Sequence, residues 1–106
     1  MLRQVVNRSK HYLLRYYYVE GMKEKREPVR PAHLKHISDH EGKGLLLAGA
    51  CLDPIDTGVL VFDVSDRKLV EEFAESDPYF KNNLITDYEV RDFLPVGGTY
   101  LSKDRA

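Results

Sequence analysis

Leu45-Leu46-Leu47-Ala48-Gly49-Ala50-Cys51-Leu52-Asp53-Pro54-Ile55-Asp56-Thr57-Gly58-Val59-Leu60-Val61-Phe62-Asp63-Val64 sets the topology of this chain. Residues 45–51 read as a strand that is apolar on both faces. Residues 53–58, with two aspartates, a proline and a glycine, read as a turn. Residues 59–64 read as a second strand directly after it. The flanking segments complete the order around this middle pair.

Upstream, Gly42 and Gly44 stop a helix that runs to about His40. Pro28 and Pro31 mark its start, because proline suits only the first turn of a helix. Residues 20–27 form a charged loop with Gly21, and residues 11–19, rich in tyrosine and leucine, form the first strand. Downstream, Ser65 or Asp66 caps a helix through Glu75, with Leu69, Val70, Phe73 and Ala74 as its apolar stripe. Asp77 and Pro78 then open a short helical turn. Residues 85–94 form a fourth strand, interrupted by charges as an edge strand is. The domain is expected over 11–96, with 1–10 as a flexible extension and 97–106 as a polar tail. The extension is basic and free of acid, as transit peptides are, but its shortness favours a plain disordered lead.

The resulting order, β-α-β-β-α-β, is two interleaved βαβ units in one sheet. It predicts an α+β, ferredoxin-like sandwich with both helices on one face. The central strands are apolar on both faces, and the helices cover only one. A homodimer packed sheet to sheet is therefore expected, with further assembly left open. The alternative is that Tyr12, Tyr16 and Tyr18 meet solvent through their hydroxyls.

The bulk composition agrees with one soluble domain. The chain has 106 residues, 42% of them hydrophobic and 31% charged. Sixteen basic and seventeen acidic residues leave a net charge of −1, with no electrostatic footprint for nucleic acid or an anionic membrane. The longest apolar runs have strand length, too short to span a bilayer. The single cysteine, Cys51, excludes an internal disulfide framework and fits a cytoplasmic location.

In this topology the first two strands run the same way, and the first helix begins where both finish. The second helix ends at the same rim. Arg30 and His33, the Gly49-Ala50-Cys51 strand end and Asp77-Pro78-Tyr79 therefore converge. His33 is a histidine, the side chain best suited to proton transfer, and Asp77 is the carboxylate to orient it. Arg30 and Arg26 offer forked donors to an anionic substrate group. Gly49 lets a ligand come close, and Tyr79 closes the pocket or donates a hydrogen bond. Read singly, Asp77 is an N-cap before proline, His33 a half-buried surface histidine and Arg30 a solvated helix-end charge. His33, His36 and His40 have metal-binding spacing on one helix face, but no cysteine or carboxylate cluster completes a set, so no metal or other cofactor is expected. Cys51 reads as a small buried strand residue rather than a nucleophile.

These residues resemble the YciI-like (YCII-related) proteins. The matching pieces are Lys25-Arg26, then Val29-Arg30-Pro31-Ala32-His33-Leu34; Glu41-Gly42 leading to Leu46-Leu47-Ala48-Gly49; Phe73 through Ser76-Asp77-Pro78-Tyr79; and Glu89-Val90. The resemblance covers about residues 11–96. It implies a dimeric α/β barrel and a site built on His33 and Asp77. Related proteins include a dehydrochlorinase of a chlorinated hydroxyquinol, and the wider superfamily holds lactone isomerases and monooxygenases. Elimination or isomerisation by proton transfer on a small, aromatic or enolisable substrate is the chemistry this implies. The alternatives are a non-catalytic small-ligand-binding or sensor dimer, and a structural domain whose dyad only caps helices. Ala50 stands where the family often has proline, which bears on the rim after the second strand.

Overall fold

The computed structural model describes residues 10–99. The elements are β1 (Lys10–Tyr18), α1 (Met22–Lys25), α2 (Arg30–His40), β2 (Leu45–Ala50), β3 (Thr57–Val64), α3 (Arg67–Ser76), α4 (Pro78–Lys81) and β4 (Ile85–Asp92). The four strands form one sheet in the order β2-β3-β1-β4. Every neighbouring pair is antiparallel, so β1 and β2 run the same way, separated by β3. This is the ferredoxin-like arrangement expected from the element order, and β4 is an edge strand as its charges predict.

The strand period of two divides β1 into two faces. Tyr12, Leu14 and Tyr16 are buried under the helices, while His11, Leu13, Arg15 and Tyr17 lie on the opposite face, half-buried. Leu60 and Phe62 of β3 and Val90 of β4 extend the buried face. Val70, Phe73 and Ala74 of α3, with Tyr79 of α4, close the core from above. Among the described residues, no helix lies on the other sheet face. Leu13, Val59 and Val61 are only half-buried there, and Leu47 is 65% exposed.

Several local expectations are corrected. The charged loop over 20–27 contains a short helix, α1, because Met22 is drawn into the core at 1% exposure. Gly21 starts it in the left-handed region at φ 76°, and the backbone N–H groups of Val29 and Arg30 both reach Arg26 O, coiling the chain into α2. Leu69 is 48% exposed, so the core face of α3 is Val70, Phe73 and Ala74 alone. Cys51 is exposed rather than buried, lying one residue beyond β2. The fourth strand ends at Asp92, and Lys10 already belongs to β1. The expected extension otherwise falls at 1–9 and most of the tail at 100–106, both outside the described residues. Among the described residues, no helix is long and apolar enough to cross a membrane.

Candidate functional site

Asp77 sits at the joint between α3 and α4. Its N–H closes α3 on Ala74 O, and its side chain caps α4 by accepting from Tyr79 N–H at 2.9 Å. Pro78 explains the joint: the residue before proline is driven out of the helical region, and Asp77 is extended at φ −66°, ψ 129°. The carboxylate therefore faces back under α2 instead of continuing a helix into solvent.

His33 lies in the first turn of α2, its N–H bonded to Val29 O at 3.1 Å. Its Nδ1–H donates to Asp77 at 2.8 Å to Oδ1 and 3.1 Å to Oδ2. Asp77 is fully buried and His33 is 7% exposed. The His33 ring also stacks flat on Tyr79, with centroids 3.6 Å apart and planes 6° from parallel. Tyr18 meets Tyr79 edge-on at 6.1 Å. The imidazole is thus fixed from its edge by a carboxylate and from its face by a ring.

One participant is not singled out by the sequence. Tyr16 of β1 donates its hydroxyl to Asp77 Oδ2 at 2.8 Å. Burial, and then the adjacent Asp77 carboxylate, push this phenol well above the ordinary tyrosine range, so it stays protonated. The available signal was its hydroxyl: a tyrosine on a buried strand face must find a partner for its O–H.

A pocket of about 150 Å³ opens beside the dyad. Arg26, Arg30, His33, Tyr79, Tyr18 and Gly49 line it, with apolar surface from Leu34, Ile37, Ala48, Ala50 and Leu60. Of the residues expected to converge, Arg30, His33, Gly49, Ala50 and Tyr79 meet at this pocket, whereas Cys51 and Pro78 do not line it. Asp77 is not part of the wall; it stands behind His33. Ala50 contributes to the wall. A Cβ at Gly49 would meet nothing within 4 Å, so packing does not require glycine there, and the space beside it is open.

The electrostatics of the pocket are positive. Among the described residues, neither Arg26 nor Arg30 has a carboxylate within salt-bridge distance, and Arg26 Nε has no hydrogen-bond partner. Burial raises the Tyr79 phenol above its ordinary range, opposed by the two guanidinium groups nearby. The other α2 histidines are engaged elsewhere: His36 Nε2 donates to Phe73 O at 2.9 Å and His40 Nδ1 to His36 O at 2.8 Å. Among the described residues, no group of three potential ligands is placed to hold a metal ion.

The family model described as the YCII-related domain matches residues 10–94. No curated protein matches the sequence. Solved structures share the fold at low identity. One is the 5-chloro-2-hydroxyhydroquinone dehydrochlorinase TftG from Burkholderia phenoliruptrix AC1100, in complex with 2,5-dihydroxybenzoquinone. It is 18% identical, covers 79% of this chain and 93% of its own, and has a TM-score of 0.71. Protein SO0527 from Shewanella oneidensis is 16% identical over 85% of this chain and 93% of its own, with a TM-score of 0.54. PA3566 from Pseudomonas aeruginosa is 7% identical over 89% of this chain and all of its own, with a TM-score of 0.57.

Proposed function

The chain belongs to the YCII-related family, and from that premise we propose that it is a cytoplasmic enzyme that moves a proton on a small anionic substrate, by elimination or isomerisation. The observation that carries this reading is the 2.8 Å bond from His33 Nδ1, on a ring that lines the pocket, to Asp77 buried behind it. A general base needs its orienting partner within that reach. With Nδ1 committed to Asp77, Nε2 is the nitrogen left to take a proton. Positioned general-base catalysis of this kind contributes about 10²–10⁴-fold in rate.

Arg26 and Arg30 hold the substrate's anionic group and stabilise the charge that builds as the proton leaves. In the elimination, Nε2 takes the proton, the C–H electron pair becomes a double bond, and the leaving group departs with its own pair. In the isomerisation, the proton returns to a neighbouring carbon. A cavity of about 150 Å³ accommodates a benzene-sized ring. Tyr18 and Tyr79 supply aromatic surface for it, and Gly49 keeps the rim open. The dehydrochlorinase that shares the fold supports the elimination branch. The working form is a homodimer joined through the helix-free sheet face.

The test is a screen of wild type and His33→Ala against small chlorinated and hydroxylated aromatics and lactones. Turnover by the wild type that disappears in a folded His33→Ala protein is the expected result. Equal binding by both proteins with turnover by neither replaces the enzyme with a ligand-binding module.

A further inference from the structure

The Asp77 carboxylate accepts from donors on three separate elements: Tyr16 O–H on β1, His33 Nδ1–H on α2 and Tyr79 N–H on α4. Tyr79 N–H and the shorter His33 bond fall on Oδ1, while Tyr16 takes Oδ2. Without Tyr16, the carboxylate has fixed bonds on one oxygen and only the longer 3.1 Å approach of His33 on the other. A buried tyrosine needs a partner, but a backbone carbonyl would serve. Here the partner is a carboxylate already holding two donors, 61 residues away in sequence.

We propose that Tyr16 is a positioning residue of the site: its buried hydroxyl fixes Asp77 Oδ2 and draws off part of the carboxylate's charge, and so sets how strongly Asp77 pulls on the His33 Nδ1 proton. The proposal rests on His33 and Asp77 forming the working pair, as in the reading above. Its physical basis is the sharing of one anion among several donors. Each donor lowers the charge presented to the others, and removing one strengthens those that remain. Tyr16 touches neither the pocket nor a substrate; it acts only through Asp77. Its own phenol, held protonated by burial and by Asp77, remains a donor throughout the range in which imidazole titrates.

The test reads the ¹⁵N resonance of His33 Nδ1 in the whole protein, through the carbon-bound ring protons, at a pH where the ring is neutral. Three side chains at position 16 form a graded series: phenylalanine, tyrosine and a site-specifically incorporated 3-fluorotyrosine. Tyr16→Phe removes the donor and keeps the ring, so the Nδ1 resonance moves downfield as the bond to Asp77 strengthens. The fluorinated phenol is more acidic and a stronger donor, so it moves the resonance upfield. Opposite signs on either side of wild type support the proposal. A resonance that stays put in both variants, or moves the same way in both, overturns it. The near-isosteric fluorotyrosine carries the test alone if Tyr16→Phe does not fold, since an upfield shift supports the proposal and none refutes it. The measurement needs no turnover, so a failed substrate screen leaves it standing, and an unmoved resonance refutes it whatever the screen finds.

Discussion

Asp77 has no exposed surface, yet it holds the Nδ1 edge of His33 at 2.8 Å. Asp77→Asn keeps the shape of the side chain and replaces one acceptor oxygen by a donor amide. Tyr79 N–H holds the amide oxygen at the Oδ1 position, so the amide N–H faces Tyr16 O–H and, at the longer approach, His33 Nδ1–H unless the imidazole switches tautomer. The switched ring carries its proton on Nε2, the nitrogen the proposed mechanism needs free, and cannot take a proton there. A buried group left without a partner costs about 1–3 kcal/mol of stability. Turnover of a substrate found by the screen is expected to fall about 10²–10⁴-fold, since the base is present in the wrong form. Denaturant unfolding and kinetics of Asp77→Asn check both numbers, and undiminished turnover removes Asp77 from its role. Both members of the dyad were legible in the sequence because each stands at a helix start beside a proline. Tyr16 was not, because its link to Asp77 exists only once β1 lies beneath the α3–α4 joint.

Two glycines show how closely the elements pack. Gly58, at the start of β3, is pressed by the Tyr18 ring: an added Cβ would fall on the Tyr18 phenol oxygen and reach Tyr16 Cδ2 at 3.4 Å. Gly44, just before β2, has φ +104°, and a Cβ there would sit 2.7 Å from the Asp63 backbone oxygen. The obstruction at Gly58 is the free end of a side chain, which can swing away. At Gly44 it is backbone, in a conformation that other residues rarely adopt. Gly44→Ala is therefore expected to cost at least about 2 kcal/mol. Gly58→Ala should cost about 1 kcal/mol while displacing Tyr18 from the pocket wall and weakening ligand binding. Thermal unfolding of both, with anion binding for Gly58→Ala, distinguishes the cases; equal destabilisation contradicts this account. Gly44 was readable as a breaker by type, whereas Gly58 read only as part of a turn, because its demand comes from a strand 40 residues earlier. Similarly, α1 was hidden by its charges. One buried residue, Met22, anchors it, and a single apolar position has no period to detect.

Among the described residues no helix covers one face of the sheet, and that follows from the connectivity. Both crossovers of a β-α-β-β-α-β chain pass over the same side, so the residues on the other side have no helix to meet. The register brings Val61 opposite both Leu13 and Leu47, and Val59 opposite Gly49 and Arg15. The apolar part of the face thus lies over β2, β3 and the middle of β1. Toward β4 the same face turns polar, with Arg15 opposite Glu89 and Tyr17 opposite Asp87, and Tyr17 donates to Glu89 at 3.0 Å. The two-faced apolar pattern of the strands and the edge position of β4 were legible in the sequence; that β2 is the other edge required the pairing. Burying a leucine or valine fully contributes about 1.5–3 kcal/mol, and a stable interface removes about 1,200–2,000 Å² from water. A second copy offers a matching apolar face by symmetry, so the wild type is expected at twice the chain mass in light scattering after gel filtration. Leu47 is the probe of choice: at 65% exposure it contributes little to the single chain's core, so Leu47→Glu leaves the fold intact. In the dimer it forces a carboxylate into an apolar interface. Leu47→Glu should run as a single chain with an unchanged circular dichroism spectrum, whereas a wild type that is already monomeric leaves the sheet face to another partner.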